Sequence, residues 1–179
     1  TTLNYSPNFD VKKRGIKEIK FIIFHYTGMK KENQAITLLT SAKSKVSSHY
    51  LIKNNGEILT LVPDLYIAWH AGVSSWKNYK SINKYSIGIE ISNPGHEYSY
   101  KKFSKKQIKS ILKLSTYLRK KYKIKSNFIL GHSDISPDRK KDPGEKFPWK
   151  YLSKNKIGHW HNINEKKLFK KRNRTVDKL

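Results

Sequence analysis

The chain contains no cysteine. Disulfide bonds and thiolate metal ligation are both excluded, so any zinc must be held by His, Asp or Glu. No apolar run approaches the roughly 18 residues of a membrane-spanning helix, and no such helix is expected. Acidic residues are scarce: 13 Asp and Glu stand against 38 Lys and Arg, a formal net charge of +25. Arginine is scarce as well, with only five residues, so nearly all of the excess is lysine. Bidentate recognition of phosphates and bases favours Arg. The balance therefore favours general surface basicity over a dedicated nucleic-acid binder, with anionic partners held by the overall field. No heptads, no internal repeats and no clear apolar edge are present, so a monomer is expected. The chain starts Thr1-Thr2, without Met, so its beginning says nothing about a leader or an anchor.

With 179 residues the chain can bury one full core and not comfortably two. Thr1 to Lys17 is polar and reads as an irregular arm packed on the domain. Ile19 to His25 is a near-continuous apolar run, as in a strand buried on both faces, and it ends at His25. Glu32 to Ala42 has helical spacing. Ser48 to Ile52 and Ile58 to Val62 flank Asn54-Asn55-Gly56, a hairpin signal. In Ser86 to Ile91 the isoleucines share one face, and Ser86, Gly88 and Glu90 share the other. Phe103 to Lys123 is the longest predicted helix. Ser104 and Gln107 form a capping box there, and Phe103 and Ile108 are placed as a hydrophobic staple. Asn127 to Leu130 reads as a short strand. Strands interleaved with helices give a single α/β domain with a central mixed sheet.

The chemistry concentrates in Gly131 to Trp149. His132, Lys140 and Asp142 are a nitrogen ligand, a cation and an oxygen ligand, the parts of a hydrolytic zinc site. Pro137, Pro143 and Gly144 predict a loop, where functional groups sit on a scaffold. Taken alone, such a segment is also what a solvated basic loop looks like. Four other features join it: His25 at a strand end, His49 in the hairpin, Trp69-His70-Ala71-Gly72, and Glu90 between isoleucines. A lone buried histidine is more often a hydrogen-bonded core residue than a ligand. A carboxylate inside a central strand, by contrast, needs a cation or a polar cavity.

Taken together, these segments resemble the zinc-dependent type 2 N-acetylmuramoyl-L-alanine amidases, whose fold is shared with the peptidoglycan recognition proteins. The resemblance is carried by SPNFD (Ser6 to Asp10), FIIFHYTG (Phe21 to Gly28) and VSSHYLI (Val46 to Ile52). LVPDLYIAWHAGVSSW (Leu61 to Trp76), SIGIEISNPG (Ser86 to Gly95) and GHSDISPDRKKDPGEKFPW (Gly131 to Trp149) complete it, in family order. It implies one zinc, with His25, His132 and Asp142 as ligands and Glu90 and Lys140 as catalytic residues. It places His49, Trp69, His70 and Asn93 along the cleft or behind the ligands. It implies hydrolysis of the amide joining N-acetylmuramic acid to L-alanine in peptidoglycan or muropeptides, in the cell envelope or the cytoplasm. The alternative is a non-catalytic peptidoglycan-binding module, which would be expected to have lost a ligand; none is missing. Asp134 is expected to fix the loop, and Lys141 to point away if that loop is extended. His159 and His161 lie beyond the resemblance and are expected in a packed C-terminal segment. The expected division is a catalytic domain over 1–164 and a basic tail over 165–179.

Overall fold

The computed structural model describes residues 2–161, and the tail expected over 165–179 lies outside them. In chain order the elements begin with β1 (Thr2–Leu3), β2 (Phe9–Asp10), β3 (Phe21–Tyr26), α1 (Glu32–Thr40), β4 (Tyr50–Ile52) and β5 (Ile58–Thr60). They continue with β6 (Ile67–Ala68), β7 (Ser75–Trp76), β8 (Tyr79–Lys80) and β9 (Ser86–Ile91). They end with α2 (Lys105–Lys121), β10 (Ile129–Gly131), α3 (His132–Ile135) and α4 (Trp149–Lys154). Six strands form one mixed sheet in the order β1-β5-β4-β9-β3-β10. Only β4 and β5, the predicted hairpin, run antiparallel; the other neighbours are parallel.

The sheet has two different faces because its central strands alternate. Ile22 and Phe24 of β3 and Ile87, Ile89 and Ile91 of β9 point to one side, into a core closed by Ile111, Leu114 and Leu118 of α2. Each such side chain contributes about 1.5–3 kcal/mol on full burial, so this face anchors the domain. The opposite face carries Phe21, Ile23 and His25 on β3 and Ser86, Gly88 and Glu90 on β9. Part of it packs on Ala71, Ile82, Leu130 and Ile135. Its β4–β5 side packs through Leu51, Leu59 and Leu61 against Leu39 of α1. Between those two clusters the face is polar.

α2 starts where its capping box predicts. Gln107 N–H donates to Ser104 Oγ (3.1 Å), and Ser104 N–H donates to Gln107 Oε1 (3.0 Å). The Gln107 amide also donates to the Ser92 carbonyl (2.7 Å), tying the helix start to the end of β9.

Several expectations need correction. The N-terminal arm is packed but not irregular throughout: β1 extends the main sheet beside β5, and β2 pairs with β6. The last strand begins at Ile129, after a 3-10 turn over Ser126–Phe128. The segment after Gly131 is not all loop, since its first turn is helical. The C-terminal segment is only partly packed: Ile157 is buried and Trp160 is half-buried beside a hollow shared with Trp76 and Trp149, whereas His159 and His161 are exposed.

Candidate active site

The site lies at the carboxyl ends of the three parallel strands β3, β9 and β10, the usual place for ligands on an open α/β sheet. His25 and Glu90 are register partners on adjacent strands, so their side chains share a face. His132 follows β10 directly. The chain then turns back, and Ser133 N–H donates to the Asp142 carbonyl (2.9 Å). Gly131 permits this return, because a Cβ there would lie 2.6 Å from Pro143 Cδ. As expected, Asp134 fixes the turn: its Oδ2 accepts from Gly131 N–H at 2.7 Å.

Three potential ligand atoms meet. His25 Nδ1 lies 2.9 Å from His132 Nδ1, and each lies 3.0 Å from Asp142 Oδ2. All three residues are buried, and they form the one group of three metal-capable side chains found among the described residues. A tetrahedral ion with bonds of about 2.0–2.1 Å needs donor atoms roughly 3.3 Å apart, close to these separations. His132 Nε2 faces the Ala71 carbonyl (3.1 Å), which can only accept, so that nitrogen carries the proton and Nδ1 offers a lone pair. Burial, then the neighbouring His132, pushes His25 down to about 4, so it is neutral near pH 7. Neutral nitrogens and an ionised carboxylate converging on one point suit a divalent cation.

Glu90 strengthens that fit. Its Oε2 is buried without a hydrogen-bond partner. Burial first, and Asp142 second, push its carboxyl up to about 8, while Lys140 acts in the opposite direction. An orphaned acceptor of this kind beside the ligand triangle calls for a positive charge or a bound water.

These groups sit in a cleft of about 440 Å³, lined by His25, Glu90, His132, Lys140 and Asp142. Trp69 and His70 line it too. His49 and Asn93 do not: both are buried behind it. His49 Nδ1 accepts from Gly88 N–H (3.0 Å) and its Nε2 faces the Tyr66 carbonyl (3.0 Å), so it braces β9 from within. Asn93 bridges the Gly95 amide and the Lys101 carbonyl, holding the loop after β9. Lys141 was expected to point away if its loop is extended; the loop instead turns at Ser136, whose carbonyl accepts from Lys140 N–H (3.0 Å), and Lys141 lines the cleft with Lys140. His159 and His161 do not join the metal-capable group.

Some lining residues were not foreseen. Leu38 and Val46 are 39% and 37% exposed and give the cleft an apolar wall. Their signal was present, since Leu38 lies on the outer side of an amphipathic helix. On another wall the Tyr26 hydroxyl meets His96 Nδ1 (2.9 Å), and His96 Nε2 meets Glu145 (2.9 Å). Nothing in the sequence links those three positions.

Residues 15–145 match the family described as N-acetylmuramoyl-L-alanine amidase. The chain belongs to this amidase family. It is 38% identical over 154 residues to the N-acetylmuramoyl-L-alanine amidase AmiD of Escherichia coli, covering 79% of this chain and 55% of that protein. It is 33% identical over 167 residues to the 1,6-anhydro-N-acetylmuramyl-L-alanine amidase AmpD of Haemophilus influenzae, covering 83% and 88%. The chain thus spans about half of the first relative's length and most of the second's. Among solved structures it is similar to Escherichia coli AmiD in complex with the substrate anhydro-N-acetylmuramic acid-L-Ala-D-γ-Glu-L-Lys. That match has a TM-score of 0.76 and 34% identity over 86% of this chain and 63% of that one. It is likewise similar to AMPDH3 of Pseudomonas aeruginosa in complex with anhydromuramic pentapeptide, with a TM-score of 0.74 and 31% identity over 87% and 67%. Single domain, mixed sheet and flanking helices agree with these neighbours.

Proposed function

We propose that this chain is a zinc amidase that hydrolyses the bond between the lactyl group of N-acetylmuramic acid and L-alanine in peptidoglycan or its fragments. Residues 1–164 would form the catalytic unit. The observation that carries the reading is the convergence of His25 Nδ1, His132 Nδ1 and Asp142 Oδ2 beside the unpartnered Glu90. The two relatives named as amidases, and the substrate bound in the AmiD structure, supply the bond class.

His25, His132 and Asp142 would hold the ion at the wall of the cleft. A zinc ion held there would supply Lewis acidity and would make a water acidic enough to attack near neutral pH. Glu90 takes the proton of the attacking water and delivers it to the departing alanine nitrogen. Lys140 places its charge beside the oxyanion that develops on the former carbonyl. The apolar wall at Leu38 and Val46 offers a place for uncharged parts of the substrate.

The test is digestion of intact and anhydro-muropeptides with mass-spectrometric readout, before and after chelation and zinc return. Free stem peptide should appear, vanish with the chelator and reappear with zinc. Glu90→Gln should retain zinc and lose about 10²–10⁴-fold in turnover. Zinc-loaded wild type that releases no stem peptide from either substrate would instead establish a peptidoglycan-binding module.

A further inference from the structure

The second nitrogen of His25 opens a chain of hydrogen bonds whose direction is fixed at its far end. Ser86 Oγ lies 2.7 Å from the Ile82 carbonyl and 3.0 Å from His70 Nε2. The carbonyl has no proton, so the single hydroxyl proton goes to it, and the oxygen accepts from His70 Nε2–H. His70 Nδ1 is then a bare acceptor, 3.0 Å from His25 Nε2. His25 must donate there, and that leaves its Nδ1 unprotonated towards His132 and Asp142.

The short segment that carries His70 serves both imidazoles. The His70 side chain takes the proton of His25, and the adjoining Ala71 carbonyl takes that of His132. The backbone of the segment is clamped in turn: His70 N–H and Ala71 N–H both donate to Asn83 Oδ1, at 3.2 and 2.8 Å. β9 makes room for the ring. A Cβ on Gly88 would lie 2.4 Å from His70 Cγ, so only glycine lets the imidazole lie against the strand. His70 itself is 9% exposed.

We propose that His70, backed by Ser86, is a positioning residue. It fixes the tautomer and ring orientation with which His25 faces the metal, and through them the zinc affinity, and it does not bind substrate. The proposal rests on the reading that His25, His132 and Asp142 hold zinc.

Zinc dissociation constants measured by competition with a chromogenic chelator test it, on full-length variants checked for folding by circular dichroism. His70→Phe keeps a ring and removes both hydrogen bonds, and should weaken zinc binding by about 10–100-fold. His70→Asn can return an oxygen acceptor near the position of Nδ1 and should recover much of the loss. Ser86→Ala removes only the end of the relay and should weaken binding less than His70→Phe. Unchanged zinc affinity in folded His70→Phe overturns the proposal, as does a raised muropeptide KM at unchanged zinc affinity. Should His70→Phe not fold, unchanged affinity in Ser86→Ala overturns it. Wild type that binds no zinc overturns the amidase reading itself, a distinct result.

Discussion

A cation can stabilise a developing oxyanion only if no neighbour already neutralises it, and Lys140 meets that condition. It faces the cleft, and none of the ion pairs among the described residues involves it. Its field is nevertheless felt, since it opposes the upward push on Glu90 and adds to the downward push on His25. Lys140→Met keeps the length of the side chain and removes the charge. Turnover should fall by about 10²–10³-fold, with zinc content unchanged. Unaltered turnover, or zinc lost in step with it, would deny Lys140 the oxyanion role. The family resemblance named five residues for the centre of the site, and the structure brings all five to one cleft. The alternation in SIGIEI alone put Glu90 opposite the isoleucines, where it needs a cation or a cavity. The direction of Lys141 hung on whether its loop is extended, and hydrogen bonds to the Ser136 carbonyl curl that loop. The Tyr26–His96–Glu145 contact was invisible because three separate segments build it, and no periodicity connects them.

At the level of elements, the strongest local signals translated directly: the Asn54-Asn55-Gly56 hairpin, the capping box of α2 and the apolar β3. The two-residue strands β1 and β2 were not legible, since their partners, β5 and β6, lie far along the chain and two residues carry no period. Equally hidden was the buried carboxylate that joins α2 to the sheet. Asp64 Oδ1 accepts from the Tyr50 hydroxyl of β4 (2.6 Å), and its Oδ2 accepts from Lys121 (3.0 Å) and the Tyr122 hydroxyl (2.5 Å). Burial alone would raise this carboxyl; the three donors outweigh burial and lower it. A carboxyl lowered on folding stabilises the fold above its unfolded value, about 3.9, and loses that contribution as pH falls through the folded value. Asp64→Asn should therefore lower stability at pH 7, by about 1–3 kcal/mol. The difference from wild type should shrink as the pH drops below about 3.9. Urea titrations at several pH values read this directly, and a difference that stays constant into acid would assign the loss to packing instead of charge.

Over the whole molecule the charge is strongly positive, and its effect should depend on the size of the substrate. α2 presents Lys105, Lys106, Lys109, Lys113 and Lys120 to solvent and carries no acidic residue. Single exposed lysines add little to stability, and mutual repulsion costs some, so the bias is better explained by an anionic partner than by the fold. Intact sacculi, dense in stem-peptide carboxylates, meet many lysines at once; a small soluble muropeptide meets only those at the cleft. The field reaches about 10 Å at 0.1 M salt and about 3 Å at 1 M. Raising salt over that range should therefore depress hydrolysis of sacculi steeply and that of soluble muropeptides weakly. Lys109→Gln combined with Lys113→Gln should reproduce part of the loss on sacculi at low salt and leave soluble turnover unchanged, because neither residue lines the cleft. Parallel salt curves for the two substrates, or unchanged sacculus activity in the double variant, would show that the lysine excess has no part in holding the wall. The proposed relay behind His25 and the charge on α2 would then act at separable steps, one on loading the metal and the other on reaching the polymer. A variant defective in one should respond normally in the assay for the other.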